Sequence, residues 1–271
     1  MVSSAADWQS GAVPVSGGQL AYHRTGGTGP AMVLAHGLTD NGLCWSRLAE
    51  ALADGFDVIM FDARGHGASL RMAAGAPFDP GQDLAEAIAG LGLQAPIVLG
   101  HSVGARAAAR YAAANPGAAA LLLLEDPPLL PLTAPEELPQ RRERFCAHVA
   151  ELQAMSAAEL AALGRAQSPG WDLAEFSAWV QAKQQVDPAA LPEFPTPWQQ
   201  DFAALTVPCL LICGEPERGG MVTPALAAEA MALNPLIRAV RIDDAGHNVR
   251  RENFADYLAA VRSFLHSGGQ Q

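Results

Sequence analysis

The sequence predicts an α/β protein in which a mostly parallel sheet carries helices on both faces and is interrupted once by an inserted block of helices. Three observations point there. Short β-rich apolar runs alternate with Ala-rich helical stretches, the pattern that parallel strands joined by crossover helices require. The alternation fails between Pro127 and about Gln200. A Gly-x-Ser-x-Gly pentapeptide stands where one apolar run meets one helical stretch.

Strands are expected at Leu20 to His23, Ala31 to Ala35, Phe56 to Asp62, Pro96 to Gly100, Ala119 to Glu125, Cys209 to Gly214 and Ile237 to Asp243. Each is a short run that suits a half-buried or fully buried strand. Helices are expected at Cys44 to Ala53, Gly81 to Leu91, Val103 to Ala114, Pro224 to Leu233 and Asn253 to Leu265. From Pro127 to Pro139 there are five prolines within thirteen residues, and then come three helical patterns, Glu136 to Met155, Ala157 to Ala166 and Asp172 to Gln185. A second proline cluster, Pro188, Pro192, Pro195 and Pro197, closes the segment. The expected organisation is therefore a core made of residues 1–126 and 201–271, with a helical cap at 127–200. Trp171, Trp179 and Trp198 lie in that segment and are candidates to line a substrate pocket.

Composition narrows the function classes. With 28 Asp and Glu against 17 Lys and Arg, the formal charge of −11 repels phosphate backbones and anionic headgroups, so neither nucleic acid nor a membrane surface is an expected partner. No run reaches the roughly 18 apolar residues of a membrane span. Met1 to Trp8 has neither the basic start nor the apolar core of a leader, and a cytoplasmic location is expected. Cys44, Cys146, Cys209 and Cys213 form no CxxC pair and read as reduced packing residues. Among the 17 basic residues only Lys183 is lysine, which reads as a compositional bias toward arginine. Arg106 and Arg110, and Arg141, Arg142 and Arg144, read as solvated surface charge.

The chemistry concentrates in three loops. Gly100-His-Ser-Val-Gly104 joins the run Pro96-Ile-Val-Leu99 to a helical stretch, the strand, tight turn and helix context of a nucleophile elbow, with Ser102 as nucleophile. A serine hydroxyl needs a base, and that base needs an orienting group. His247, in Ala245-Gly-His-Asn248 between the last strand and the final helix, supplies the base. His36-Gly-Leu38 follows the strand at Ala31 to Ala35, so the backbone N–H groups of Leu38 and Val103 are the candidate oxyanion hole.

These motifs, together with Phe61-Asp-Ala-Arg-Gly-His-Gly-Ala-Ser69, resemble those of the α/β-hydrolase family with a helical cap, and the resemblance spans nearly the whole chain. It implies an eight-stranded sheet, a Ser-acid-His triad and no cofactor, and it makes Asp62, Arg64 and His66 structural. The acid departs from the family's commonest pattern. The stretch after the post-cap strand reads Gly214-Glu-Pro-Glu-Arg-Gly-Gly220, where Glu217 takes the usual spacing and Gly219-Gly220 lengthen the loop. In haloalkane dehalogenases the acid instead ends the strand before the cap, and here Glu125 closes the run Leu121 to Leu124. Glu125 is preferred over Glu217, with Asp126 and Glu215 behind. A serine at the elbow excludes dehalogenation, so the expected reaction is hydrolysis of a small-molecule carboxylic ester or lactone through an acyl-enzyme, with amides a close variant. The alternatives are C–C bond hydrolysis of a diketone and a non-catalytic ligand receptor.

Overall fold

The computed structural model describes residues 8–72 and 78–269; the stretch before Trp8 that was read for a leader lies outside them. Among the described residues, eight strands form one sheet in the order β1-β2-β4-β3-β5-β6-β7-β8. β1 (Gln9–Val15) and β2 (Gly18–Arg24) make an antiparallel hairpin, and β2 runs antiparallel to β4 (Asp57–Phe61). All remaining neighbours are parallel: β3 (Ala31–Ala35), β5 (Ile97–His101), β6 (Leu122–Glu125), β7 (Cys209–Cys213) and β8 (Ile237–Arg241). β1 escaped the sequence reading for a physical reason. It lies at the sheet edge, carries Pro14 and Gly11, and buries only Val13 and Val15 fully, so it lacks the apolar run of a central strand.

Every residue of β4, β5, β6 and β7 is buried, and the pleat deals them to two cores. Leu122 and Leu124 join the face covered by α2 (Pro80–Gly90), α3 (Val103–Ala114) and α8 (Pro224–Leu233). Leu121 and Leu123 join the opposite face, under α1 (Ser46–Leu52) and α10 (Phe254–His266). The four-leucine run is thus two interleaved pairs facing opposite ways.

Between β6 and β7 the chain forms α4 (Leu138–Ala154), α5 (Ala157–Gln167) and α6 (Glu175–Gln185). Ser156 and Glu159 cap α5 reciprocally, which fixes its start. The three helices enclose a small core of their own, Leu152, Leu160, Trp171, Phe176, Trp179 and Val180. A second cluster, Phe145, Val149, Val186 and Leu191, packs on Leu38 of the loop after β3. α7 (Trp198–Ala203) behaves differently: Trp198 and Phe202 belong to the main core beneath the sheet. All four cysteines are free; Cys146 is exposed on α4, so the packing role expected for all four holds for Cys44, Cys209 and Cys213 and not for Cys146.

Candidate active site

Ser102 stands between β5 and α3 with φ 54° and ψ −121°, a left-handed conformation that costs a non-glycine residue energy and lifts the side chain off the strand tip. The flanking glycines make that turn possible. A Cβ on Gly100 would lie 2.3 Å from the carbonyl oxygen of Gly104, and one on Gly104 would lie 2.2 Å from that of Ala35. No side chain fits either contact.

His247 sits in the loop between β8 and α9 (Val249–Glu252) and reaches back to the elbow. Its Nε2 lies 3.0 Å from the Ser102 Oγ, and its Nδ1 lies 2.7 Å from the Oδ2 of Asp126. With the Nδ1 proton donated to a carboxylate, Nε2 presents its lone pair to the serine hydroxyl. The loop is held from below: Glu252 accepts from the N–H of Gly246 at 2.7 Å and from that of Asn248 at 3.1 Å.

The carboxylate on His247 is Asp126, not Glu125, and the pleat explains the correction. Glu125 continues the Leu121 and Leu123 face, where its carboxylate accepts from the backbone N–H of Arg250 at 3.0 Å and from the guanidinium at 3.2 and 3.3 Å. Burial pushes the Glu125 carboxyl above its usual range, with Arg250 pulling the other way. Asp126 is the first residue past the strand; its φ of 41° turns the side chain over the sheet edge. There the fully buried carboxylate also accepts from the N–H groups of Met221 at 2.8 Å and Val222 at 3.1 Å. The lengthened loop after β7 thus supplies backbone donors in place of an acid. Glu217 is exposed on the turn Pro216–Arg218, and the carboxylate of Glu215 is taken by Arg218 at 2.8 Å.

The loop after β3 faces the elbow. His36 donates from Nδ1 to the Gly37 carbonyl at 2.8 Å and accepts at Nε2 from the N–H of Ala63 at 2.9 Å, so it is neutral; burial pulls it down to about 4. His66 donates from Nε2 to the Leu38 carbonyl at 2.5 Å. His101 donates to the carbonyl of His247 at 3.0 Å, and burial, then the charge of Arg250, holds it well below the usual imidazole value. Among the described residues the N–H groups of Leu38 and Val103 meet no protein acceptor. Val103 is moreover the first residue of α3, where an N–H has no partner within the helix.

Ser102 and His247 open into a cavity of about 290 Å³ beneath the inserted helices. Its lining mixes apolar side chains, Leu38, Leu152, Leu163, Trp171 and Trp179, with polar ones that include Asp40, Lys183 and Arg251. Two of the three candidate pocket tryptophans therefore line it. Trp198 does not: it is 1% exposed and packs edge-on against Phe202 inside the main core, because the chain has already returned to the sheet at α7. Arg106, expected in solvent, is buried against Asp201 at 3.3 Å and lies over the Phe194 ring. The polar part of the lining was missed by the sequence reading, since Asp40, Lys183 and Arg251 meet only through tertiary contacts. Among the described residues no cluster of three or more His, Cys, Asp or Glu side chains could hold a metal ion.

The model of the alpha/beta hydrolase family matches residues 32–261 of this sequence. The chain belongs to the α/β-hydrolase family. It is 31% identical over 270 residues to the N-formylmaleamate deformylase of Pseudomonas putida, an alignment covering 94% of this chain and 96% of that protein. It is 28% identical over 255 residues to the 2-(acetamidomethylene)succinate hydrolase of Mesorhizobium japonicum, covering 89% and 90%. Among solved structures, an E-2-(acetamidomethylene)succinate hydrolase superposes with a TM-score of 0.76 at 23% identity over 96% of this chain and 99% of that one. A thermophilic esterase from Thermogutta terrifontis gives 0.76 at 24% identity, covering 97% and 100%. At such identities the structures share the α/β-hydrolase fold, and this α/β hydrolase is an enzyme of that family.

Proposed function

We propose that this α/β hydrolase cleaves a carboxylic acyl bond of a small molecule through an acyl-enzyme on Ser102. The observation that carries the reading is the continuous relay from Ser102 through His247 to Asp126, with contacts of 3.0 and 2.7 Å. His247 takes the serine proton as Oγ attacks the carbonyl carbon, and Asp126 offsets the imidazolium charge. The developing oxyanion is held by the N–H groups of Leu38 and Val103. Collapse breaks the acyl bond, His247 returns the proton to the leaving group, and water, activated by the same imidazole, then frees the acid.

Ester and lactone cleavage follow from this machinery, and so does cleavage of an amide, whose poor leaving group needs the proton of His247. The two relatives aligned along most of the chain favour the amide, because their names place a formyl or an acetyl group on nitrogen in a carboxylate-bearing molecule. A cavity of about 290 Å³ suits a substrate of that size. We place the inserted helices over it as the cap that sets substrate choice. The test is a panel of N-formyl and N-acetyl enamides of dicarboxylates, matched esters and lactones, and a vinylogous diketone, with Ser102→Ala as the blank. The reading expects turnover of acyl compounds that falls by about 10⁶-fold in Ser102→Ala, as loss of a serine nucleophile does elsewhere. Activity retained in Ser102→Ala, or confined to the diketone, would overturn it.

A further inference from the structure

The lone lysine of the chain is buried, and it spans the gap between the inserted helices and the loop after β3. Lys183, on α6, is 4% exposed. Its Nζ lies 2.8 Å from the Thr39 carbonyl oxygen, 2.8 Å from the Thr39 hydroxyl and 3.1 Å from Oδ1 of Asp40. An ammonium has three N–H bonds in a tetrahedral array, and here each meets an acceptor. The ammonium also lies 4.7 Å from the centre of the Trp179 ring. Asp40 does not depend on Lys183 alone, since its other oxygen lies 3.1 Å from Arg251 and 3.4 Å from Arg250.

The turn that Lys183 grips carries Leu38. The N–H of Asp40 closes it on the Gly37 carbonyl at 3.1 Å, and the Leu38 carbonyl is fixed by His66. Fixing the next carbonyl, that of Thr39, leaves the peptide planes on both sides of residue 39 little freedom. A buried ion pair adds little net stability against an apolar replacement, but it specifies one geometry among several compact ones.

Resting on the acyl-enzyme reading above, we propose that Lys183 is a positioning residue: from α6 it holds the Gly37 to Asp40 turn so that the Leu38 N–H points at the developing oxyanion. The hydrolytic site is then complete only when the inserted helices are docked. Arginine cannot substitute, because its planar fork does not match three acceptors gathered around one point. Nor is Lys183 an anion-binding group, because all three of its donors are engaged within the protein.

The experiment compares Lys183→Met, Lys183→Arg and Thr39→Val with the parent on neutral 4-nitrophenyl acetate and anionic 4-nitrophenyl hemisuccinate, alongside benzeneboronic acid, which forms a tetrahedral adduct on the serine. Lys183→Met should lower kcat by ~10–100-fold, the effect of a mispositioned oxyanion donor, with KM for both esters within about threefold. Boronate affinity should weaken in step with kcat. Lys183→Arg should not restore it, and Thr39→Val should show a smaller loss of the same kind. A KM rise confined to the hemisuccinate would make Lys183 a substrate anchor and overturn the proposal. So would parental kcat and boronate affinity in Lys183→Met or, should that variant not fold, in Lys183→Arg and Thr39→Val together. Failure of the acyl-enzyme reading looks different: the parent itself would bind no boronate at Ser102.

Discussion

The carboxyl edge of the sheet and the roof above it are built by different means. At the edge, Ser102 and Asp126 are aimed by backbone conformation, with φ of 54° and 41° at the tips of the adjacent strands β5 and β6, and by glycines that admit no side chain. In the roof, α6 is tied down by charge: Lys183 on Thr39 and Asp40, and Glu175 on Arg251 at 3.2 Å. The edge is placed by backbone turns that leave no room for a side chain at Gly100 or Gly104; the roof is placed by pairs of side chains that can in principle part. Ser102 and Asp126 sit where geometry is set by the backbone, and α6 where it is set by side chains.

The three tryptophans near the insert sharpen that contrast. Trp198 belongs to the sheet, so Trp198→Ala should cost ~3–5 kcal/mol of stability, read from denaturant midpoints, without reordering substrate preference. Trp171 and Trp179 line the cavity, so their alanine variants should shift selectivity among acyl groups by ~1–3 kcal/mol in relative kcat/KM. Unchanged substrate ranking in both would make the roof's aromatics purely structural and erase the distinction.

Acid should separate the two regions by a smaller margin. His36 and His101 are held neutral beneath the edge, and burial brings His36 down to about 4. The unfolded chain takes up these protons near the ordinary histidine pKa of ~6.5, whereas the folded one takes up that of His36 only near 4 and that of His101 only well below its usual value, so the unfolded state binds more protons in between. Their contribution to stability is therefore complete above that upper value and declines as pH falls toward 4. Burial alone would raise Asp40, but Arg251, Lys183 and Arg250 together hold it well below the usual carboxylate range, so the tie between Asp40 and Lys183 stays charged there. Hydrogen exchange across this window should show the loops around His36 and His101 opening before α6; the reverse order would break the comparison.

The same division governs what could be read from the sequence. The parallel strands, the elbow and the His247 loop announce themselves locally, through apolar runs, glycines at fixed offsets and chain order. β1 was missed because an edge strand with a proline lacks the run that reveals a buried one. The carboxylate on His247 lies one residue beyond the one the sequence favours, because two carboxylates are adjacent at the strand tip and only the pleat tells which continues the Leu123 face into Arg250. Lys183 was dismissed because its partners, Thr39 and Asp40, lie 144 and 143 residues away in sequence. Ser102 and His247 are legible because their loops carry local signals, whereas Lys183 and the choice between Glu125 and Asp126 rest on partners distant in sequence.

The most direct test of the relay is the pair Asp126→Asn and Glu125→Gln, each measured for kcat per folded molecule and for thermal stability. If Asp126 orients His247, Asp126→Asn should lower kcat by about 10⁴-fold, the cost of losing the acid of a serine triad, with a modest change in Tm. Glu125→Gln should do the opposite, costing ~3–5 kcal/mol of stability by breaking a buried pair with Arg250 while leaving kcat of the folded enzyme near the parent's. A kcat collapse in Glu125→Gln alongside an active Asp126→Asn would contradict the assignment of the acid.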